Sequence, residues 1–87
     1  MRIKEGYIMR KIAGSDIVVP VGENISDFNG IISLNDSAAF LWRKLMEGSE
    51  IGQLTESLMK EYEITKELAQ KDAQHFVARL QEAGMLE

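Results

Sequence analysis

The sequence predicts an α+β domain in which a three-stranded antiparallel sheet is followed by three helices. The first third of the 87-residue chain holds short β-branched runs that turn residues interrupt. From about residue 36 onward, apolar residues instead recur every three or four positions, which is the helical period. A chain of this length buries one modest core. We therefore expect a single domain that spans residues 1–87.

Three runs have the character of strands. The first, Tyr7 to Ile12, alternates roughly between apolar and basic residues, and the second, Asp16 to Val21, follows the turn residues Ala13-Gly14-Ser15. Pro20 cannot donate a ladder hydrogen bond, so it should lie at the end of a strand or at an edge. The third run, Gly30 to Leu34, is short and leads directly into the first helix.

The helices have recognisable ends. The first should be capped by the side-chain oxygens of Asn35-Asp36-Ser37 and should end at Gly48. The second covers roughly Ile51 to Tyr62, and the third runs from an N-cap at Thr65 to Ala83. The apolar residues predicted to face inward are Ala38, Leu41, Trp42 and Leu45 in the first helix and Ala69, Ala73, Phe76, Val77 and Leu80 in the third, with Met85 and Leu86 tucked onto the core. In the second helix Ile51, Leu54, Leu58 and Tyr62 share one side.

The connection between the last two helices is tight. Only Glu63-Ile64 separates them before the Thr65 cap, which is typical of a helix-turn-helix. Together with the small sheet, this order predicts a winged-helix-like domain.

Composition narrows the class of function. The chain has no cysteine, so neither disulfides nor thiolate metal sites are available. Its amino terminus lacks the pattern of a signal peptide, and no apolar run approaches the roughly 20 residues of a membrane span, so we expect a cytoplasmic protein without a membrane partner. A net charge of −4 and a pI near 5.0 disfavour nucleic acid as a partner.

The inventory of catalytic groups is small. His75 is the one histidine, and the chain has no serine in a Gly-x-Ser-x-Gly setting and no glycine-rich phosphate loop. A lone helical histidine is more often a surface or interface residue than a base or a ligand. We therefore predict a non-enzymatic protein with no cofactor and no metal.

The third helix carries the clearest pattern of charged residues in the sequence. Lys71, His75 and Arg79 recur every fourth residue and so share one edge of the third helix. Two interpretations remain open at this point. The three residues either form a solvated face that balances Glu67 and Glu82, or they contact an acidic peptide.

The chain resembles the PqqD-like family. The resemblance lies in the order and separation of short segments over nearly the whole chain. These are Tyr7-Ile8-Met9-Arg10, Val19-Pro20-Val21-Gly22, Asn29-Gly30-Ile31-Ile32-Ser33-Leu34-Asn35, the helix ends at Gly48 and Tyr62, and Leu80 to Leu86. The closest similarities are the Leu34-Asn35 junction, the run from Asp72 to Leu80 and the ending Ala83-Gly84-Met85-Leu86.

That resemblance implies a peptide-binding adaptor. In such domains the leader segment of a ribosomally made precursor binds as an extra strand along the third strand, with its side chains in a groove beside the third helix. A partner enzyme, often a radical S-adenosylmethionine protein, then modifies the precursor. Strand addition is a physically sound mode, because a sheet edge offers unpaired amides and carbonyls.

The resemblance also places the site. The residues expected to bind peptide are Ile31, Ile32, Ser33, Leu34, Lys71, Ala73, His75, Phe76, Val77, Arg79 and Leu80. The sequence does not say which of Ile31 and Ile32 faces the core, since a one-residue shift exchanges them. It also leaves the pathway open, whether that of pyrroloquinoline quinone (PQQ) or another product.

Two other functions remain as alternatives. The helix-turn-helix and the basic pattern also suit a winged-helix DNA-binding regulator. A structural subunit that binds a partner protein without using a peptide groove is the other. Either a monomer or a homodimer that pairs through the exposed strand edge is compatible with the sequence.

Overall fold

The computed structural model describes residues 1–22 and 32–87. Its elements are β1 (Tyr7–Ile12), β2 (Ser15–Pro20), β3 (Ile32–Leu34), α1 (Asp36–Glu47), α2 (Ile51–Tyr62) and α3 (Lys66–Glu82). The predicted α+β order of three strands and then three helices is confirmed. Gly30 and Ile31, which the prediction assigned to the third strand, lie outside the described residues.

A two-residue turn joins β1 to β2. Ile12 stands opposite Ser15, and between them Ala13 and Gly14 have φ angles of 51° and 82°. Two positive φ angles in a two-residue hairpin loop define a type I′ turn, whose twist matches that of the flanking strands. Alanine is an unusual residue for the first of these positions, because its Cβ crowds the backbone there.

The Ala13→Asn variant is expected to be more stable than the wild type. The left-handed conformation costs most residues about 1–2 kcal/mol, whereas Asn-Gly is the preferred pair for this turn. We expect the free energy of unfolding, measured by urea denaturation, to rise by about 0.5–1 kcal/mol. Ala78→Asn, at an exposed position of α3, is the matched control and should lower it. A destabilised Ala13→Asn protein would contradict the turn assignment.

The sheet has the order β1-β2-β3, and both pairings are antiparallel. Met9, Val18 and Ile32 stand side by side across the three strands. Because side chains alternate between faces, this row shares its face with Tyr7 and Leu34, and that face lies against the helices. The side chain of Ile32 is therefore directed to the core. The sequence alone did not say whether Ile32 faces the core or the peptide.

Side-chain and backbone caps set the helix ends where the sequence predicts them. The Ala38 N–H donates to Asn35 Oδ1 at 2.8 Å, and the Leu68 N–H donates to Thr65 Oγ1 at 3.2 Å. Gly48 ends α1 with a φ of 96°, and Glu63 ends α2 in the left-handed conformation. In the predicted helix-turn-helix, the chain therefore turns at the left-handed Glu63, and the next helix starts at the Thr65 cap.

The core lies between the sheet and the three helices. Trp42 is 1% exposed, and Leu45, Leu58 and Leu80 are fully buried. All five inward residues predicted for α3 are buried, and so is Met85. In α1, Ala39 is buried, whereas the predicted Ala38 is half-buried and packs at the margin of the core.

The last residue of α2, Tyr62, lies at the edge of the core. Tyr62 is 37% exposed, and its ring meets the edge of Phe40 with centroids 5.8 Å apart and an interplanar angle of 89°. Tyr62 is the last residue of α2, so the helical pattern that includes it continues to the rim of the core. Tyr62 was predicted to share one side of this helix with Ile51, Leu54 and Leu58, and at the end of that side it lies at the margin of the core.

The pKa of the Tyr62 phenol is raised above its ordinary value of 10.0. Partial desolvation raises the pKa of its phenol above 10.0, and the charges of Asp36 and Glu61 raise it further, while Arg43 opposes them. A phenol whose pKa is raised by folding adds stability that is complete below pH 10 and is lost as the pH rises through the folded-state pKa. The absorbance titration of the wild type minus that of Tyr62→Phe should show a midpoint above 10.0. A midpoint at or below that value would contradict the partial desolvation of the phenol and the position of Asp36 and Glu61 beside it.

The two ends of the chain meet beside the α1–α2 connection. Ile3 forms a β-bridge with Leu86, the Lys4 N–H donates to the Met85 carbonyl at 2.9 Å, and the Glu87 N–H donates to the Arg2 carbonyl at the same distance. These bonds hold the buried Met85 in place, as the sequence predicted.

Candidate functional site

The hydrogen-bond phase of the sheet decides which backbone groups are left at its edges. The Val21 N–H donates to the Gly6 carbonyl at 2.8 Å, so position 21 bonds towards β1. Along an antiparallel strand the backbone groups of successive residues point to opposite sides. The odd-numbered residues of β2 therefore bond to β1, and the even-numbered residues direct their N–H and C=O groups towards β3.

The outer edge of β3 is the first component of the candidate site. Leu34 stands opposite Asp16 and Ile32 opposite Val18, so these two residues of β3 exchange bonds with β2. Ser33 lies between them and directs its N–H and C=O away from the sheet. In the described part of the chain, no strand pairs with this side of β3. The backbone of Ser33 is thus a donor and an acceptor at an open edge.

A cavity between α1 and α3 is the second component. It has a volume of about 250 Å³ and begins where β3 ends. Its lining from α3 comprises Asp72, His75, Phe76 and Arg79, and its lining from the start of α1 comprises Asn35, Ser37, Ala38 and Leu41. Phe76 and Leu41 are buried side chains that form the apolar floor, and the exposed His75 and Arg79 form a polar rim.

The rim combines both signs of charge. Asp72, His75 and Arg79 occupy positions i, i+3 and i+7 of α3 and so share one face of the helix. Neither of the ion pairs formed within residues 1–22 and 32–87 involves them. Their hydrogen-bonding capacity is therefore directed to solvent and to whatever enters the cavity.

The structure places the other predicted site residues differently. Ala73, Val77 and Leu80 are buried in the core and support the cavity from behind. Lys71 is exposed on α3 but does not line the cavity. Leu34 is buried as well, and Ile31 lies outside the described residues.

The cavity also contains residues that the sequence analysis missed. Asp72 could have been found, because it precedes His75 and Phe76 at helical spacing on the same face. Asn35, Ser37, Ala38 and Leu41 carried no such signal. They belong to the wall only because α1 starts directly after β3 and packs its first turns towards α3.

The described residues include neither a metal-binding cluster nor a membrane-spanning helix. Among the described residues, no group of three or more His, Cys, Asp or Glu side chains is placed to hold a metal ion. None of the three helices that the structure describes is both long and apolar enough to cross a bilayer.

Comparison with known families identifies the chain. The family model described as Coenzyme PQQ synthesis protein D (PqqD) matches residues 13–86. The chain belongs to the PqqD family. For this PqqD-family chain, no curated protein gives a significant match.

Two solved structures are similar to this PqqD-family fold. One is described as TbiB1 in complex with the TbiA(beta) leader peptide, with a TM-score of 0.79, 17% identity, and coverage of 100% of this chain and 95% of that one. The other is lasso peptide synthetase B1 complexed with the leader peptide, with a TM-score of 0.75, 24% identity, and coverage of 97% and 93%. At these identities the similarity establishes a shared fold.

Proposed function

We propose that this chain is a non-catalytic adaptor that captures the leader segment of a precursor peptide by strand addition and presents it to a modifying enzyme. The observation that carries the proposal is the open backbone of Ser33 at the edge of β3, directly beside a cavity with an apolar floor and a charged rim. A sheet edge supplies sequence-independent hydrogen bonds, and an adjacent pocket selects side chains.

The size of the cavity indicates what enters it. At about 250 Å³ it lies below the roughly 300–1,000 Å³ that is usual for small-molecule sites. Side chains of an added strand point alternately to the two faces of the sheet, so successive residues of the peptide cannot share one small cavity. We therefore expect one large apolar side chain of the leader to pack on Phe76 and Leu41.

The rim adds a preference for charge. His75 and Arg79 are exposed donors, and a guanidinium binds a carboxylate in a bidentate manner. An acidic leader residue two positions from the apolar anchor, and so on the same face of the added strand, would meet these donors, with Lys71 available one turn earlier on α3. In this arrangement Ala73, Val77 and Leu80 hold Phe76 in place from the core.

Family membership and the two similar structures support the same proposal. The chain belongs to the PqqD family, and both structures are described as complexes with leader peptides. The enzyme that receives the bound precursor is proposed here to be a radical S-adenosylmethionine protein. The product of the pathway is either PQQ or another modified peptide.

The DNA-binding alternative gains no observation in its favour. Around the helix-turn-helix, the exposed residues Glu61, Glu63 and Glu67 offset Lys60 and Lys66. Together with a net charge of −4, this leaves no positive field of the kind that phosphate backbones require.

A titration tests the proposal. A ¹⁵N-labelled sample is mixed with leader peptides from precursor genes adjacent to the gene of this chain, and with scrambled versions of the same peptides. We expect saturable shifts at Ser33, His75, Phe76 and Arg79 with the leader and none with the scrambled peptide. The absence of shifts at these four residues with every adjacent precursor would refute the proposal.

A further inference from the structure

The opposite edge of the sheet also carries outward backbone groups. Because Gly6 bonds to Val21, the even-numbered residues of β1 bond to β2. Met9 and Lys11 therefore direct their N–H and C=O groups outward, away from the sheet. Within residues 1–22 and 32–87, β1 pairs with no strand other than β2. The domain therefore has two template edges, one at β3 and one at β1.

An apolar trough runs along the edge of β1. It has a volume of about 440 Å³ and is lined by Ile8, Met9, Trp42, Arg43, Met46 and Glu47. Ile8 and Met9 are consecutive, so their side chains lie on opposite faces of the sheet. A trough that borders both must lie on the edge itself, between β1 and α1. Met46 is 47% exposed there, so its side chain is available to a partner that enters the trough.

The charge at this edge is opposite to that of the whole chain. Arg10 and Lys11 extend along β1 and Arg43 lines the trough, whereas the acidic residues beside them in the described part of the chain are Glu47 and Asp16. Lys11 lies 3.9 Å from Asp16, but its side chain is 68% exposed, so its charge still acts on the surroundings. A cationic edge on a protein with a net charge of −4 attracts an acidic segment.

From these three features we propose that the outer edge of β1 is a second docking site, which takes an extended segment bearing acidic and apolar residues. This proposal rests on the proposed function in one respect, since it assigns the segment to the modifying enzyme. The backbone of the docked segment would pair with Met9 and Lys11. One of its apolar side chains would lie on Met46, and its carboxylates would meet Arg10 and Arg43.

A second copy of the chain is disfavoured as the occupant, and a leader bound at β3 does not block this edge. A second copy that paired through β1 would bring the cationic residues Arg10 and Lys11 of both copies to one seam, and like charges across a strand pair are destabilising. A leader bound along β3 leaves the β1 edge accessible, because β1 and β3 are two strand spacings apart, about 9.5 Å, with β2 between them. Enzyme and leader can therefore be bound at the same time.

The test uses the chain saturated with its leader peptide and the modifying enzyme from the same gene neighbourhood. Addition of the enzyme to a labelled sample should broaden the Met9 and Lys11 amides and the Met46 methyl signal, while Ser33 and Phe76 keep their leader-bound positions. Met46→Glu and Arg43→Glu should each weaken enzyme binding by about tenfold or more without changing leader affinity. Met46→Leu, which keeps the apolar surface, is the matched control and should bind like the wild type.

Several outcomes would overturn the proposal. These are enzyme binding that survives both charge substitutions, broadening that maps to another face, and broadening of Met9 that depends on concentration without enzyme, which would assign the edge to a second copy. Failure of the proposed function has a different signature. In that case the leader leaves Ser33 and Phe76 unshifted, whatever happens at Met9.

Discussion

The Ser33→Pro variant is expected to lose about tenfold to one hundredfold in leader affinity while it keeps its fold. Proline removes the outward N–H of Ser33, so the facing carbonyl of the leader is left without a donor. An unsatisfied polar group at a closed interface costs about 1–3 kcal/mol, and each 1.4 kcal/mol is tenfold in affinity. The fold should survive, because this N–H takes no part in the ladder with β2 and proline is tolerated on edge strands.

Isothermal titration with the leader peptide measures this effect, and circular dichroism verifies the fold. Ser33→Ala is the matched control, since it removes the hydroxyl and keeps the N–H, and it should bind within a factor of about two of the wild type. A leader peptide N-methylated at the pairing residue should reproduce part of the loss with the wild-type chain. Unchanged affinity in both experiments would show that β3 is not the template.

The Trp42→Ala variant is expected to lose a large share of its stability. Trp42 is 1% exposed, and truncation of a buried tryptophan typically costs about 3–5 kcal/mol through lost burial and an unfilled cavity. A domain of 87 residues has a total stability of about 4–13 kcal/mol. The loss is thus a large share of the total, because no disulfide can offset it in a chain without cysteine.

Urea denaturation followed by circular dichroism measures this loss. Met46→Ala is the matched control on the same helix, because Met46 is 47% exposed and should cost well under about 1 kcal/mol. The wild type should also show blue-shifted fluorescence, as its lone tryptophan is buried. An unfolding midpoint of Trp42→Ala equal to that of the wild type would be incompatible with the core described above.

Much of the fold was predictable because its signals are local. Caps such as Asn35 and Thr65 act within three residues of themselves, and the helical period of Ala73, Phe76, Val77 and Leu80 is written directly in the sequence. Tyr62 is an exception to these local signals. Its spacing is that of a core residue, but spacing does not record how far the core extends along α2.

The candidate site was only half predictable for a related reason. His75, Phe76 and Arg79 were named because the family resemblance pointed to the third helix and its spacing separates an apolar side from a basic edge, whereas Asn35 and Leu41 approach them through packing between elements distant in sequence. The β1 trough was not foreseen at all, since it needs a strand edge and the exposed Met46 of α1 to lie side by side.

The sequence by itself determined the α+β order, most core residues and the lack of any catalytic motif, since these follow from periodicity, turn chemistry and composition. Only the tertiary structure decided that Ile32 faces the core, that Ser33 presents its backbone at an open edge, and that α1 walls the cavity. The physical reason is that strand register and helix packing depend on contacts between separated segments. A shift of one residue, which hardly alters the local pattern, would exchange the two faces of a strand.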